Sequence, residues 1–120
     1  MFFEDVELWL NSHEVRFLER IKLSGKSGFD YMFEFIIPKS KTHPERIIKT
    51  INDPTRNAAR NLLFAWFDTK EGRETESKAY AILNDSGREV TPTVIEAFKK
   101  YEIEPVLWSK REEVVEELVA

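Results

Sequence analysis

The pattern of apolar and polar positions divides the chain into nine elements. Phe3, Val6, Leu10 and Trp9 recur at helical spacing and predict a short helix over Met1–Leu10, ended by Asn11-Ser12 and packed across a sheet edge. From Glu14 to Leu23 the period changes to that of a strand. Val15, Phe17, Ile21 and Leu23 point one way, Glu14, Arg16 and Lys22 the other, and Glu19 interrupts the inward row. Gly25-Lys26-Ser27-Gly28 reads as a turn, because glycine accepts positive φ, and its amides are a candidate anion cradle. A second strand, Phe29 to Ile37, pairs back as a hairpin. Phe29, Tyr31, Phe33, Phe35 and Ile37 take one side, and Asp30, Met32, Glu34 and Ile36 the other.

After a polar loop from Pro38 to Pro44, Ile47, Ile48 and Ile51 fit either a buried helix face or a β-branched strand. Asn52-Asp53-Pro54 favours the strand, since Asp53 suits a helix cap and Pro54 a first helical position. The helix then runs to about Phe67, with Ala58, Ala59, Leu62, Leu63 and Trp66 inward, and Lys70 to Ser77 is a charged loop. The nearly continuous apolar run in Lys78–Asn84 predicts a central strand. Thr91-Pro92 opens a helix with Val94, Ile95 and Phe98 on its core face. Val106 and Leu107 mark a short strand that Pro105 places at an edge. Ser109-Lys110-Arg111-Glu112 has the form of a capping box for a last helix carrying Val114, Val115 and Leu118. The expectation is one α/β domain over residues 1–120, with a mixed central sheet, helices on both faces and the order α-β-β-β-α-β-α-β-α.

Composition changes this picture little and narrows the chemistry. A length of 120 residues suits a single core. With no cysteine, disulfides and thiolate metal sites are excluded and a cytoplasmic setting is expected. No apolar run approaches a membrane span, and no membrane partner is expected. The net charge of -4 gives no general attraction to nucleic acid, so a protein partner is favoured over DNA. His13 and His43 have no ligand-like spacing, and no Walker loop or nucleophile elbow is present. Lys26 in the glycine turn, Lys39 and Lys41 in the loop, and Arg73 are the candidate anion- or partner-binding cations.

The succession of glycine turn, strand with Glu34, strand with Lys49 and helix resembles the core of restriction-endonuclease-like PD-(D/E)xK nucleases over about residues 14 to 109. In that family two acids on adjacent strands hold Mg²⁺ beside a lysine. The resemblance puts Glu34 at the first acid and Lys49 at the lysine, but Ile47 stands at the second acid. An active enzyme would need Glu45, which shares a strand face with Lys49, or Asp68 in Asp68-Thr69-Lys70, read as an acid-x-lysine element ending a strand from Leu62. The metal pair would then be Glu34 and Asp68, and Mg²⁺ is implied only in that active case.

A finer resemblance rests on Gly25–Gly28, Phe35–Ser40, Phe64–Lys70, Leu83–Asp85 and Pro105–Ser109. By these stretches the chain is identified as a member of an uncharacterised bacterial and phage family, the domain of unknown function numbered eighteen twenty-nine. Members usually follow a second uncharacterised domain, which implies a fragment or stand-alone relative with a partner elsewhere. Together the resemblances imply a catalytically silent nuclease-like domain that binds a partner. An active Mg²⁺-dependent nuclease and a phage-borne module acting on a host defence complex are the alternatives.

Overall fold

Five strands form one mixed sheet in the order β1-β2-β3-β4-β5, with helices on both faces. The computed structural model describes residues 1–120, and the chain is a single α/β domain. The elements are α1 (Phe2–Ser12), β1 (Leu18–Ser24), β2 (Asp30–Ile37), β3 (Glu45–Ile51), α2 (Arg56–Lys70), β4 (Ser77–Leu83), α3 (Pro92–Lys100) and β5 (Ile103–Leu107). A 3-10 helix, Trp108–Val114, then leads into α4 (Val115–Val119). β1, β2 and β3 are antiparallel neighbours, while β3, β4 and β5 are parallel and are joined through α2 and α3. No helix is long and apolar enough to cross a membrane.

Each face buries a cluster of thirteen residues. α1, the 3-10 helix and α4 cover the face of Phe35, Ile48, Tyr80 and Val106. α2 and α3 cover the face of Phe33, Ile47, Ala81 and Ile103. α1 therefore packs on a sheet face and not across an edge. Its buried residues are Phe2, Val6, Trp9 and Leu10, so Phe2 takes the fully buried place expected of Phe3. The ambiguous segment 45–51 is a strand, β4 is buried, and β5 with its Pro105 is an edge.

The first strand is shorter than its alternation suggests. Glu14 has φ 57, and the amides of Glu14 and Val15 bond back to the carbonyls of Asn11 and Leu10. This is a Schellman closure of α1, which withdraws residues 14–17 from the sheet. The expected one-sided rows also fail. Val15 and Phe17 join the α1 side, whereas Ile21 and Leu23 join the α2 side. In β2, Tyr31 and Phe33 face α2, and Phe35 and Ile37 face α1. The exchange occurs at Arg20, whose φ is 52, and opposite it at Glu34. Both strands turn over together, and the register Glu19↔Phe35 continues unbroken as Ile21↔Phe33.

Two helix starts and one helix end resolve differently from the sequence reading. The cap of α2 is Thr55, whose Oγ1 accepts from the Ala58 amide at 3.1 Å, while Asp53 binds Arg88 at 3.0 Å. α2 continues through Lys70, so Asp68 lies in a helix and not at a strand end. Ser109 makes no capping box: its hydroxyl donates to Asp85 at 2.5 Å, and Glu112 accepts from Trp9 Nε1 at 2.7 Å. Without that cap the segment forms a 3-10 turn with a kink at Lys110.

Candidate functional site

Pairing between β2 and β3 covers Ile37↔Arg46, Ile36↔Ile47 and Phe35↔Ile48, then stops. The carboxylate of Glu34 stands at the point of divergence, 8% exposed. One of its oxygens accepts from the Thr50 amide at 2.8 Å, and the other faces Lys49 Nζ at 3.2 Å. Lys49 also donates to the Met32 carbonyl at 2.9 Å. Glu34 thus acts as the carbonyl that β2 no longer offers to β3, and Lys49 bridges the same opening. Ile47, beside them, is 1% exposed in the α2-side core.

The other candidate acids have separate partners. Glu45 is bound by Arg73 at 2.6 Å and by the Ser77 hydroxyl at 2.8 Å. Asp68 accepts from the Ser27 amide at 2.9 Å, from the Tyr31 hydroxyl at 2.9 Å, and from the Ser27 hydroxyl. It thereby clamps the tip of the β1–β2 hairpin to the last turn of α2. The Ser27 hydroxyl, against an opposing effect of burial, holds the Asp68 carboxyl below its ordinary value. Burial first, and Asp68 second, raise the Tyr31 phenol.

This clamp also explains the glycine turn. Only Gly28 has positive φ, at 95°. Gly25 is needed for space, since a Cβ there would lie 2.1 Å from Asp68 Oδ2. The Gly25–Gly28 amides thus serve the fold: Gly25 N–H bonds the Phe29 carbonyl, Lys26 N–H the Asp68 carbonyl, and Gly28 N–H the Gly25 carbonyl.

Glu34 and Lys49 are therefore brought together, and Glu45 and Asp68 are not joined to them. No group of three or more His, Cys, Asp or Glu side chains is placed to hold a metal ion. Mg²⁺ prefers several oxygen ligands in octahedral array. A lone carboxylate already facing an amide and an ammonium does not fit it. Lys26, Lys39 and Lys41 are exposed and form no ion pair, whereas Arg73 is held by Glu45. His13 pairs with Glu112 at 3.3 Å, and His43 with the Thr42 hydroxyl at 3.0 Å.

Beside the Glu34–Lys49 pair a groove of about 780 Å³ opens between β2, the end of β3 and α2. Nine of its fourteen lining residues are apolar, and Phe29, Met32 and Phe64 on its walls are exposed. The sequence reading passed over this groove. The available signal was on α2, where Phe64 and Phe67 fall off the buried stripe of Ala59, Leu62 and Trp66.

The model of one family, described as a domain of unknown function, DUF1829, matches residues 25–111. The chain belongs to this family. The matched DUF1829 region starts at the glycine turn and ends within the 3-10 helix, so it contains Glu34, Lys49, Asp68 and the groove. No curated protein sequence matches the chain. Among solved structures, the crystal structure of a protein of unknown function, AF1548, is similar, with a TM-score of 0.65 and 15% identity. That similarity covers 97% of this chain and 65% of that one, so this DUF1829 chain spans about two thirds of that protein's length. At such identity the likeness is one of fold.

Proposed function

We propose that this DUF1829 chain is a catalytically silent, nuclease-like domain that acts by binding a partner, a protein in preference to DNA. The observation that carries the reading is the engagement of Glu34. Its two oxygens meet the Thr50 amide and Lys49, with Ile47 next to them where a second acid would be required. The acid–lysine pair has a structural task, closing the gap between diverging strands. The net charge of -4 supports a protein partner. The nuclease-like ancestry and the phage or mobile-element setting come from the resemblances in sequence, and the cytoplasmic location from the absence of cysteine.

The test is an endonuclease assay on supercoiled, linear and single-stranded DNA with Mg²⁺ or Mn²⁺. No cleavage above a metal-free control is expected. Metal-dependent cutting that disappears in Glu34→Ala or Lys49→Ala, with the variants still folded by circular dichroism, would overturn the proposal in favour of an active nuclease.

A further inference from the structure

The exposed surface of α2 carries no carboxylate. Arg56 and Arg60 are exposed, Lys70 is half-buried, and the helix's one acid, Asp68, is 7% exposed and turned onto Ser27 and Tyr31. The chain as a whole has 22 Asp and Glu against 18 Lys and Arg, so an acid-free face departs from its general balance. Arg56 stands in the first turn, where the helix dipole favours an acid, and no acid occupies that turn. Neither arginine has an ion-pair partner. A charge set against its helix dipole without internal compensation points to a role outside the fold.

The same face is apolar further along. Phe64 and Phe67 are 52% and 58% exposed, and Phe29 and Met32 beside the groove are 62% and 45% exposed. Arg56, Arg60 and Phe64 follow at intervals of four and form one row along α2. Aromatic residues, Met and Arg are enriched at protein-binding surfaces. The groove's one acid, Asp30, accepts from the Ser24 hydroxyl at 2.6 Å, and its one lysine, Lys49, is paired with Glu34.

We infer that the α2–β2 face docks an acidic amphipathic helix of a partner protein. Its apolar side chains enter the groove beside Phe29 and Phe64, and its carboxylates meet Arg56 and Arg60. This rests on the reading of the domain as a binding module and names its surface and partner class. A second copy of the chain is a poorer occupant. A two-fold interface sets a patch against itself, and this patch has two free arginines against a single acid, Asp30, which the Ser24 hydroxyl already engages. A nucleic acid is poorer too, since two arginines neutralise few phosphates on a chain of net charge -4.

The experiment is selection of a random displayed-peptide library on the full-length chain, followed by binding measurements with the selected peptide. Enriched peptides are expected to combine Asp or Glu with Leu, Ile or Phe at helical spacing. Affinity should fall about tenfold or more in Phe64→Ala and in the double variant Arg56→Glu/Arg60→Glu, and should weaken as salt is raised. All the changed side chains are exposed, and circular dichroism verifies that the variants remain folded.

The inference is overturned if no peptide is enriched, or if the selected peptides bind both variants as well as the parent. It is equally overturned if oligo-dT binding, or a concentration-dependent dimer, is what the Phe64 variant loses. A selected peptide that binds elsewhere removes this inference and leaves the reading of function standing. Metal-dependent cleavage removes that reading instead.

Discussion

The two faces of the sheet bury equal numbers of residues and treat their polar groups in opposite ways. On the face covered by α1 and α4, polar side chains turn inward and find partners there, Arg46 Nε and Arg111 Nε excepted. Arg46 is 1% exposed and donates to the carbonyls of Pro38, Glu117 and Ala120 at 2.8, 2.5 and 2.8 Å. Lys78 and the Tyr80 hydroxyl both reach the Glu117 carboxylate, and burial first, then Glu117, raises the Tyr80 phenol far above its ordinary value. On the face covered by α2 and α3, polar groups lie around the core, with Glu34 and Lys49 in a strand gap, Asp68 under the hairpin tip, and Arg56 and Arg60 in solvent. Thirteen buried residues on each side mean that the exposed phenylalanines of α2 do not reflect a deficient core. One face is built for closure, and the other keeps surface that folding does not use.

The most damaging change to a polar side chain should therefore lie on the closed face. Arg46→Met removes the guanidinium that gathers the last helix and the 38–44 loop, and leaves buried carbonyls without donors. The expected cost is about 3 kcal/mol, read as a lower urea midpoint with unchanged slope. A cost below about 1 kcal/mol would mean that apolar packing alone closes this face, and the contrast would lose its first half.

On the open face the largest effect outside the apolar core should come from Gly25→Ala, whose Cβ meets the Asp68 carboxylate at 2.1 Å. Overpacking of this kind costs about 1–3 kcal/mol. If the clash is the cause, the change should be much milder in an Asp68→Ala background, a non-additive pair in a double-mutant cycle. Glu34 follows. Glu34→Ala leaves the Thr50 amide without its acceptor and should cost about 2 kcal/mol. Glu34→Gln keeps a carbonyl oxygen for that amide and should cost less than half as much. Equal losses would mean that the charge facing Lys49 matters more than the backbone bond.

The Asp68 clamp should also respond to acid. Its carboxyl titrates below the ordinary 3.8 in the folded chain. A depressed folded value means that its contribution is complete above the unfolded pKa and is lost as pH falls through the folded one. The Ser27 amide should therefore lose hydrogen-exchange protection below about pH 3.8, and Asp68→Asn should remove that dependence. A protection profile that is flat across this range in the parent chain would contradict the clamp.

The sheet was legible wherever one local period held. β4, α3 and β5 appear as their apolar patterns and prolines indicate. The β1–β2 hairpin misled because alternation assumes that a strand keeps one face inward. Its two strands exchange faces at Arg20 and Glu34, and an arginine at positive φ has no sequence signature. Asp53-Pro54 and Ser109–Glu112 misled because their carboxylates and hydroxyl found distant partners, Arg88, Asp85 and Trp9, that no local window contains. For the candidate site, the meeting of Glu34 with Lys49 was readable from neighbouring strands. The separation of Glu45 and Asp68 depended on Arg73, Ser77, Ser27 and Tyr31, which only the folded chain brings to them. The groove escaped notice because a phenylalanine in a helix is read as core until its face is known.

The smallest expected effect decides whether the second half of the contrast holds. Phe64 and Phe67 share α2 with Leu62 and Trp66, which are 5% and 3% exposed. Leu62→Ala should cost about 2–5 kcal/mol through lost burial and a residual cavity. Phe64→Ala and Phe67→Ala should each stay within about 0.5 kcal/mol of the parent, because most of each ring is in water before the change. Such an outcome would mean that a large apolar side chain is retained at a position where stability does not require it, as expected of a surface kept for a partner. Losses above about 1 kcal/mol at either position would make these rings part of the core. The faces would then differ in packing density and not in purpose, and the docking surface would lose its physical basis.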